Sequence, residues 1–253
     1  MIRAVLIWLC LAAPALAQNE EIVSGLSQNR VSITANFDGS EILVYGAVRR
    51  MAPPPLGSLL HVIVTVEGPS MPLVIRRKEK VAGIWINTAA VTIDAAPSFY
   101  AVATTGPIEN ILSETENLRH RVTIDRVIRA VGISDEAADA PRFVQALGRI
   151  RQSEDRYRLE ESTIQLTAET LFRADIVLPA NLTEGNYRVR IFLTRDGQVI
   201  DVQERRINVQ KAGLERFLFT LAHEQPLAYG LLALMLAALA GWGASAAFRL
   251  IRT

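Results

Sequence analysis

Cysteine is nearly absent from this chain. Of 253 residues one is cysteine, Cys10, and it lies in an apolar run close to the N-terminus. That run, Ala4 to Ala13, follows Arg3 and leads into Pro14 and Ala15-Leu16-Ala17, the small-x-small pattern that signal peptidase accepts, so residues 1–17 read as a secretory signal peptide. It is well short of the ~20 apolar residues that a membrane-spanning helix needs, which argues against an N-terminal anchor. Cys10 has no lipoprotein cleavage box around it and leaves with the signal. A mature chain without thiols excludes disulfides, Cys-ligated zinc, iron–sulfur clusters and cysteine nucleophiles.

An excess of either charge is also missing. The 27 Lys and Arg residues stand against 26 Asp and Glu, and without Arg3, Arg249 and Arg252 the exposed part carries 24 against 26, close to −2. A nucleic-acid binder needs a basic excess on one face. The local basic stretch Arg76-Arg77-Lys78-Glu79-Lys80 reads as the solvated end of a strand and its turn, with anion binding as the alternative. His61, His120 and His223 are far apart and fall in no HxxxH or HExxH spacing, so they offer no pair of metal ligands on one helix face. No GxSxG turn is present. Gly241-Trp242-Gly243 lies in an apolar run rather than after a strand, where a dinucleotide loop would sit. The acid pairs Glu20-Glu21, Asp135-Glu136 and Glu160-Glu161 are adjacent carboxylates of the kind that are mostly solvated. No catalytic residue, metal ligand, cofactor or small-molecule substrate is indicated.

What the sequence does have is a long apolar run near its C-terminus. From Leu227 to Phe248 no residue is charged, about 33 Å of helix against a hydrocarbon core of ~30 Å. Helices buried in soluble proteins are amphipathic, whereas Leu231 to Leu239 is apolar on every side. Residues 226–248 are therefore assigned to one transmembrane helix. Arg249 and Arg252, in the tail 249–253, place that end in the cytoplasm by the positive-inside rule. Ala233, Ala237, Gly241 and Ser245 recur at every fourth position as a candidate helix-packing face, although alanine-rich helices also produce such stripes by chance. The absence of ionisable residues in the span argues against an ion path within it. Upstream, Leu214, Phe217, Leu218 and Leu221 share helical spacing and predict a juxtamembrane helix over 211–225, separated from the span by Pro226. Such a helix rests on lipid or a partner, or packs under the protein's own β domain.

The region between is mainly β. Val31, Ile33, Ala35 and Phe37 share one face of a strand, as do Leu60, Val62, Val64 and Val66. Further strands are expected at Ile42–Val48, Leu73–Arg77, Gly83–Asn87, Val91–Asp94 and Phe99–Ala103, divided by Gly and Pro turns. Many short strands so punctuated predict an antiparallel sandwich of immunoglobulin-like character, with Trp85 in its core. The period then changes. Ser113-Glu114-Thr115-Glu116 forms a capping box, Ile124, Val127, Ile128 and Val131 follow at helical spacing, and another helix is expected near Asp139 with Pro141 in its first turn and Phe143, Val144, Leu147 and Ile150 on one face. Strands return after Tyr157, with Phe172, Ala174, Ile176 and Leu178 alternating, then Tyr187, Val189, Ile191 and Leu193. Asp196-Gly197 marks a tight hairpin from which the returning strand runs to Val209. Leu182, Gly185 and Tyr187 resemble the entry to a late sandwich strand, where a tyrosine hydroxyl ties down a loop. The pattern leaves open whether these strands complete the first sandwich. Two β modules, 18–105 and 157–210, separated by a helical segment at 106–156, are the favoured division.

Four stretches together resemble a known family: Val31 to Phe37 with Gly39-Ser40-Glu41, Ser98 to Thr105, Leu171 to Ala174 with Leu178-Pro179-Ala180, and Pro226 to Gly230. They are similar to the alphaproteobacterial "putative transmembrane protein" family over nearly the whole mature chain. The resemblance implies a bacterial inner-membrane protein without an assigned activity and supplies no catalytic residues. It implies a transport-associated role through relatives encoded near sulfite-exporter-like permeases. The expected protein is thus single-pass, with its bulk in the periplasm and its C-terminus in the cytoplasm. It is a non-enzymatic accessory module that contacts inner-membrane lipid and a membrane-protein partner, a transporter being the candidate. A periplasmic enzyme with a site of dispersed polar residues is the alternative. Ligand sensing is disfavoured because few residues follow the span.

Overall fold

Alternating strands bury one face each and need a second apolar face opposite. In the computed structural model, which describes residues 20–34, 37–53, 57–129, 140–211 and 221–251, two facing sheets meet that need. The first has the antiparallel order β1 (Glu21–Leu26), β3 (Ser40–Arg49), β10 (Leu171–Leu178), β9 (Gln165–Thr167). The second runs β2 (Arg30–Ile33), β12 (Gln198–Lys211), β11 (Gly185–Arg195), β4 (Leu60–Glu67), β7 (Tyr100–Thr104), β8 (Tyr157–Glu160), with parallel pairs at both edges. Between them Ile42, Val44, Phe172, Ala174, Ile176 and Leu178 pack with Val62, Val64, Val66, Val189, Ile191 and Leu193 in one buried cluster.

Strands from both halves of the chain therefore share both sheets: β3 pairs with β10, and β4 with β11. The two modules expected at 18–105 and 157–210 are a single mainly β sandwich. Period-2 alternation identifies the buried face of a strand but not its neighbour, so the pairing is invisible to the pattern.

The helical segment covers the outer face of the second sheet. Helices α1 (Ile108–Ile111), α2 (Glu114–His120), α3 (Ile124–Val127) and α4 (Ala140–Ser153) build a second core there with Ile63, Tyr100, Val102 and Phe192. Buried from both sides, β4 and β7 are almost wholly inaccessible. Ser113 caps α2 as expected, its hydroxyl accepting from the Glu116 N–H at 3.4 Å. The helix expected through Ile124 to Ile128 shrinks to one turn. Arg121, at φ 52°, ends α2, the Asn117 side chain accepts from the Thr123 N–H at 3.1 Å, and Ile128 is already extended. Val131 and Asp139 lie outside the described residues. In α4, Phe143 and Leu147 are buried and Ile150 is half exposed. Asp196 and Gly197 form the expected tight turn with φ of 51° and 76°, and the Tyr187 hydroxyl donates to the Thr183 carbonyl at 2.9 Å, fastening the loop before β11.

A further pair, β5 (Ser70–Val81) and β6 (Ile84–Pro97), forms a two-stranded ribbon. It absorbs what the sequence pattern divides into three strands, because Ala82 and Gly83 adopt φ of 52° and 88° and turn the chain in two residues. Trp85, expected in the core, instead stands beside this turn and is 66% exposed. An Ala-Gly turn lacks the Asn or Asp signature that marks such a hairpin in sequence.

Candidate functional site

Helix α5 (Pro226–Ile251) begins with proline in its first turn, where the missing N–H costs no bond. Gln225 donates its N–H to Leu221 and accepts from Tyr229, linking α5 to a helical turn at 221–224. The rest of the juxtamembrane helix expected at 211–225, with Leu214, Phe217 and Leu218, lies outside the described residues, as do the signal peptide expected at 1–17 and Arg252. Pro226–Ser245 has a mean hydropathy of 1.8, and none of it is buried. Leu231, Leu234, Met235, Leu236, Leu239 and Trp242 are all exposed. In water so continuous an apolar surface is untenable, and in a bilayer it is the favoured state. Ala233, Ala237, Gly241 and Ser245 align along one face and are exposed. A Cβ placed on Gly241 meets nothing within 4 Å.

The helical layer carries two open clefts. One, of about 630 Å³, is lined by Glu109, Glu114, Asn117, Asp125 and Arg126, with apolar Ile128 and Val144. The other, of about 700 Å³, adjoins it at Asp125 and Gln145 and adds Arg142 and Arg149. Hydrogen bonds from Arg126 first, and from Asn117, hold the Glu114 carboxyl below its ordinary pKa. This suits ion pairing rather than proton donation at neutral pH. Among the described residues no three His, Cys, Asp or Glu side chains converge as a metal-binding group. His61 lies 3.1 Å from the Thr105 hydroxyl, and His120 pairs with Glu116 at 3.3 Å within α2.

Sequence reading missed a buried ionic network. Glu20 accepts from Arg195 Nε and Nη2 at 2.9–3.2 Å and from Arg50 Nε at 2.6 Å. Arg195 also donates to the Ser58 carbonyl at 2.6 Å, and Arg50 to the Glu169 carbonyl. These residues lie at the end of the sandwich where Arg195 pairs with Leu60. The network fastens the residue preceding β1 to the β11–β12 turn. Burial lowers the pKa of the nearby His61, with opposing contributions from Glu169 and Arg195. Four charged residues scattered over the chain carry no local motif, so no sequence signal marks them.

Among the described residues, a β-sandwich and one uncovered apolar helix of membrane-crossing length define a membrane-anchored protein. The chain belongs to the family described as "Putative transmembrane protein (Alph_Pro_TM)", whose profile matches residues 21–250. No curated protein matches the chain significantly. Among solved structures it is similar to the sporulation control protein Spo0M of Bacillus subtilis at 10% identity and a TM-score of 0.28, over 80% of this chain and 54% of that one. The chain thus spans about half the length of Spo0M, and a likeness this distant carries no argument about fold or function.

Proposed function

We propose that the protein is a non-enzymatic periplasmic module, tethered by α5, that binds or supports an inner-membrane protein, with a transporter as the candidate partner. The carrying observation is that the span Pro226–Ser245 is left uncovered by the other described residues. Its Ala233, Ala237, Gly241 and Ser245 face is therefore available to a second helix, and small residues let backbones approach closely. Signal peptide and terminal arginines agree on a cytoplasmic C-terminus. A tether needs no catalytic centre, because holding the sandwich at the membrane raises its effective concentration around a partner.

Crosslinking in intact membranes, followed by purification in mild detergent, identifies that partner. Ala237→Leu with Gly241→Leu is expected to weaken its recovery roughly tenfold. Unchanged recovery removes the stripe as the contact and leaves the β surface. The enzyme reading draws on one observation, the convergence of Glu109, Glu114, Asp125 and Arg126 on a cleft. In that case Asp125→Asn reproduces in cells whatever effect deletion of the whole chain has, while partner recovery is unaffected.

A further inference from the structure

A two-stranded ribbon is marginal in water unless something covers it. The proximal half of β5 and β6 is covered: Leu73, Ile75, Ala89, Val91 and Ile93 join the second core, and the Arg77 guanidinium lies 5.9 Å from the Phe143 ring. Beyond it, residues 76–88 are all exposed, on both faces. At the tip Val81, Ile84, Trp85 and Ile86 are 49%, 68%, 66% and 44% exposed. Cross-strand register sorts these side chains. Val81 faces Ile84 and Glu79 faces Ile86 on one side, while Lys80 faces Trp85 and Lys78 faces Asn87 on the other. The stretch 76–80 holds four cations and one acid, Glu79, which pairs with Arg77 at 2.9 Å.

We infer that this tip docks into the surface of an anionic phospholipid bilayer, the membrane that α5 crosses. Aliphatic side chains with one tryptophan, bordered by lysine and arginine, match the bilayer interface, where indole sits at headgroup level and cations meet lipid phosphates. The fold supplies independent support. The β4–β7 ladder runs on into the ribbon through the Gly68 N–H to Phe99 and Ser98 N–H to Pro69 bonds. It does so at the end of the sheet where β12 finishes: Gly185 pairs with Val209, and a Cβ on Gly185 would meet Pro69 at 3.0 Å. The ribbon root and the C-terminal end of β12, the last strand before α5 in the chain, therefore share one end of the sandwich. The inference rests on α5 spanning a membrane but not on which side the sandwich lies.

The test uses the full mature chain carrying Trp242→Phe, which leaves Trp85 as its sole tryptophan. It is reconstituted into nanodiscs of phosphatidylcholine alone or mixed with phosphatidylglycerol, and compared with the chain in uncharged detergent. In anionic discs Trp85 emission is expected to shift to the blue, to escape iodide and to be quenched by brominated acyl chains. Each exchange among Arg76→Gln, Lys78→Gln and Lys80→Gln is expected to lower the ratio of docked to free tip about fivefold. Equal iodide quenching of Trp85 in detergent, neutral and anionic discs overturns the proposal. So does shielding that ignores all three charge exchanges, which would point to a protein surface instead. A chain that fails to co-elute with the discs overturns the membrane anchor itself and this docking with it, whereas co-elution with an exposed Trp85 overturns the docking alone.

Discussion

At the scale of single residues, burial sets the chemistry more than neighbouring charge does. Tyr100 is wholly enclosed and donates to the Val122 carbonyl at 2.6 Å, and burial pushes its hydroxyl up to about 12. A folded pKa above the ordinary 10 means the fold retains this proton longer than the unfolded chain does. The stabilisation is complete below pH 10 and is lost as pH rises toward 12. Alkaline titration is expected to show the Tyr100 tyrosinate signal arriving together with loss of β-sheet circular dichroism. Tyr100→Phe removes that step and, by stranding the Val122 carbonyl, costs about 1–2 kcal/mol at neutral pH. The Glu20 network answers to a different rule. Its carboxylate is nearly inaccessible and depends on Arg195 and Arg50 together, so Arg195→Met leaves a buried charge half paired. A loss of about 3 kcal/mol is expected in denaturant unfolding. Glu20→Gln made together with Arg195→Met should recover part of it, because the half-paired buried carboxylate is then gone while Arg50 keeps Glu169 at 3.7 Å.

At the scale of elements, close packing between strands depends on small residues, and Gly46 shows it most directly. A Cβ on Gly46 of β3 would meet Phe172 Cζ at 2.6 Å and the Val23 carbonyl at 2.7 Å, so Gly46→Ala forces β1 and β10 away from β3. The expected cost is about 2–3 kcal/mol, measurable as a shift in unfolding midpoint, with Phe172→Leu in the same chain relieving part of it. The strand faces themselves are plain in the sequence: the alternation of Leu60 to Val66 and of Phe172 to Leu178 matches the buried cluster residue for residue. Each of those strands presents one face to the inter-sheet core, which is what a period of two encodes. Less was legible where tertiary context overrides local pattern. Ile124 to Ile128 carry helical spacing but are broken by the Arg121 and Asn117 arrangement, and Trp85 looks like a core aromatic until the Ala82-Gly83 turn puts it at a ribbon tip. The joining of two expected modules into one sandwich follows from long-range pairing, which no local pattern records.

At the scale of the whole molecule, one folded body is joined to one membrane helix, and the proposed function depends on which side of the membrane that body occupies. The membrane helix was the most legible element, because an unbroken run from Leu227 to Phe248 without charge has few other homes. Its uncovered small-residue face has no sequence signal beyond spacing, which alanine-rich helices share. Cys10 is the one cysteine in the sequence, so in a Cys10→Ser background an introduced cysteine is the sole thiol and makes orientation directly measurable. Thr163→Cys, at an exposed site between β8 and β9, and Thr253→Cys, beyond α5, are treated in spheroplasts with a maleimide that cannot cross the membrane. With the sandwich in the periplasm, the residue-163 thiol is labelled in intact spheroplasts and the residue-253 thiol only after lysis. Labelling of the second without lysis, with the first protected, would contradict it.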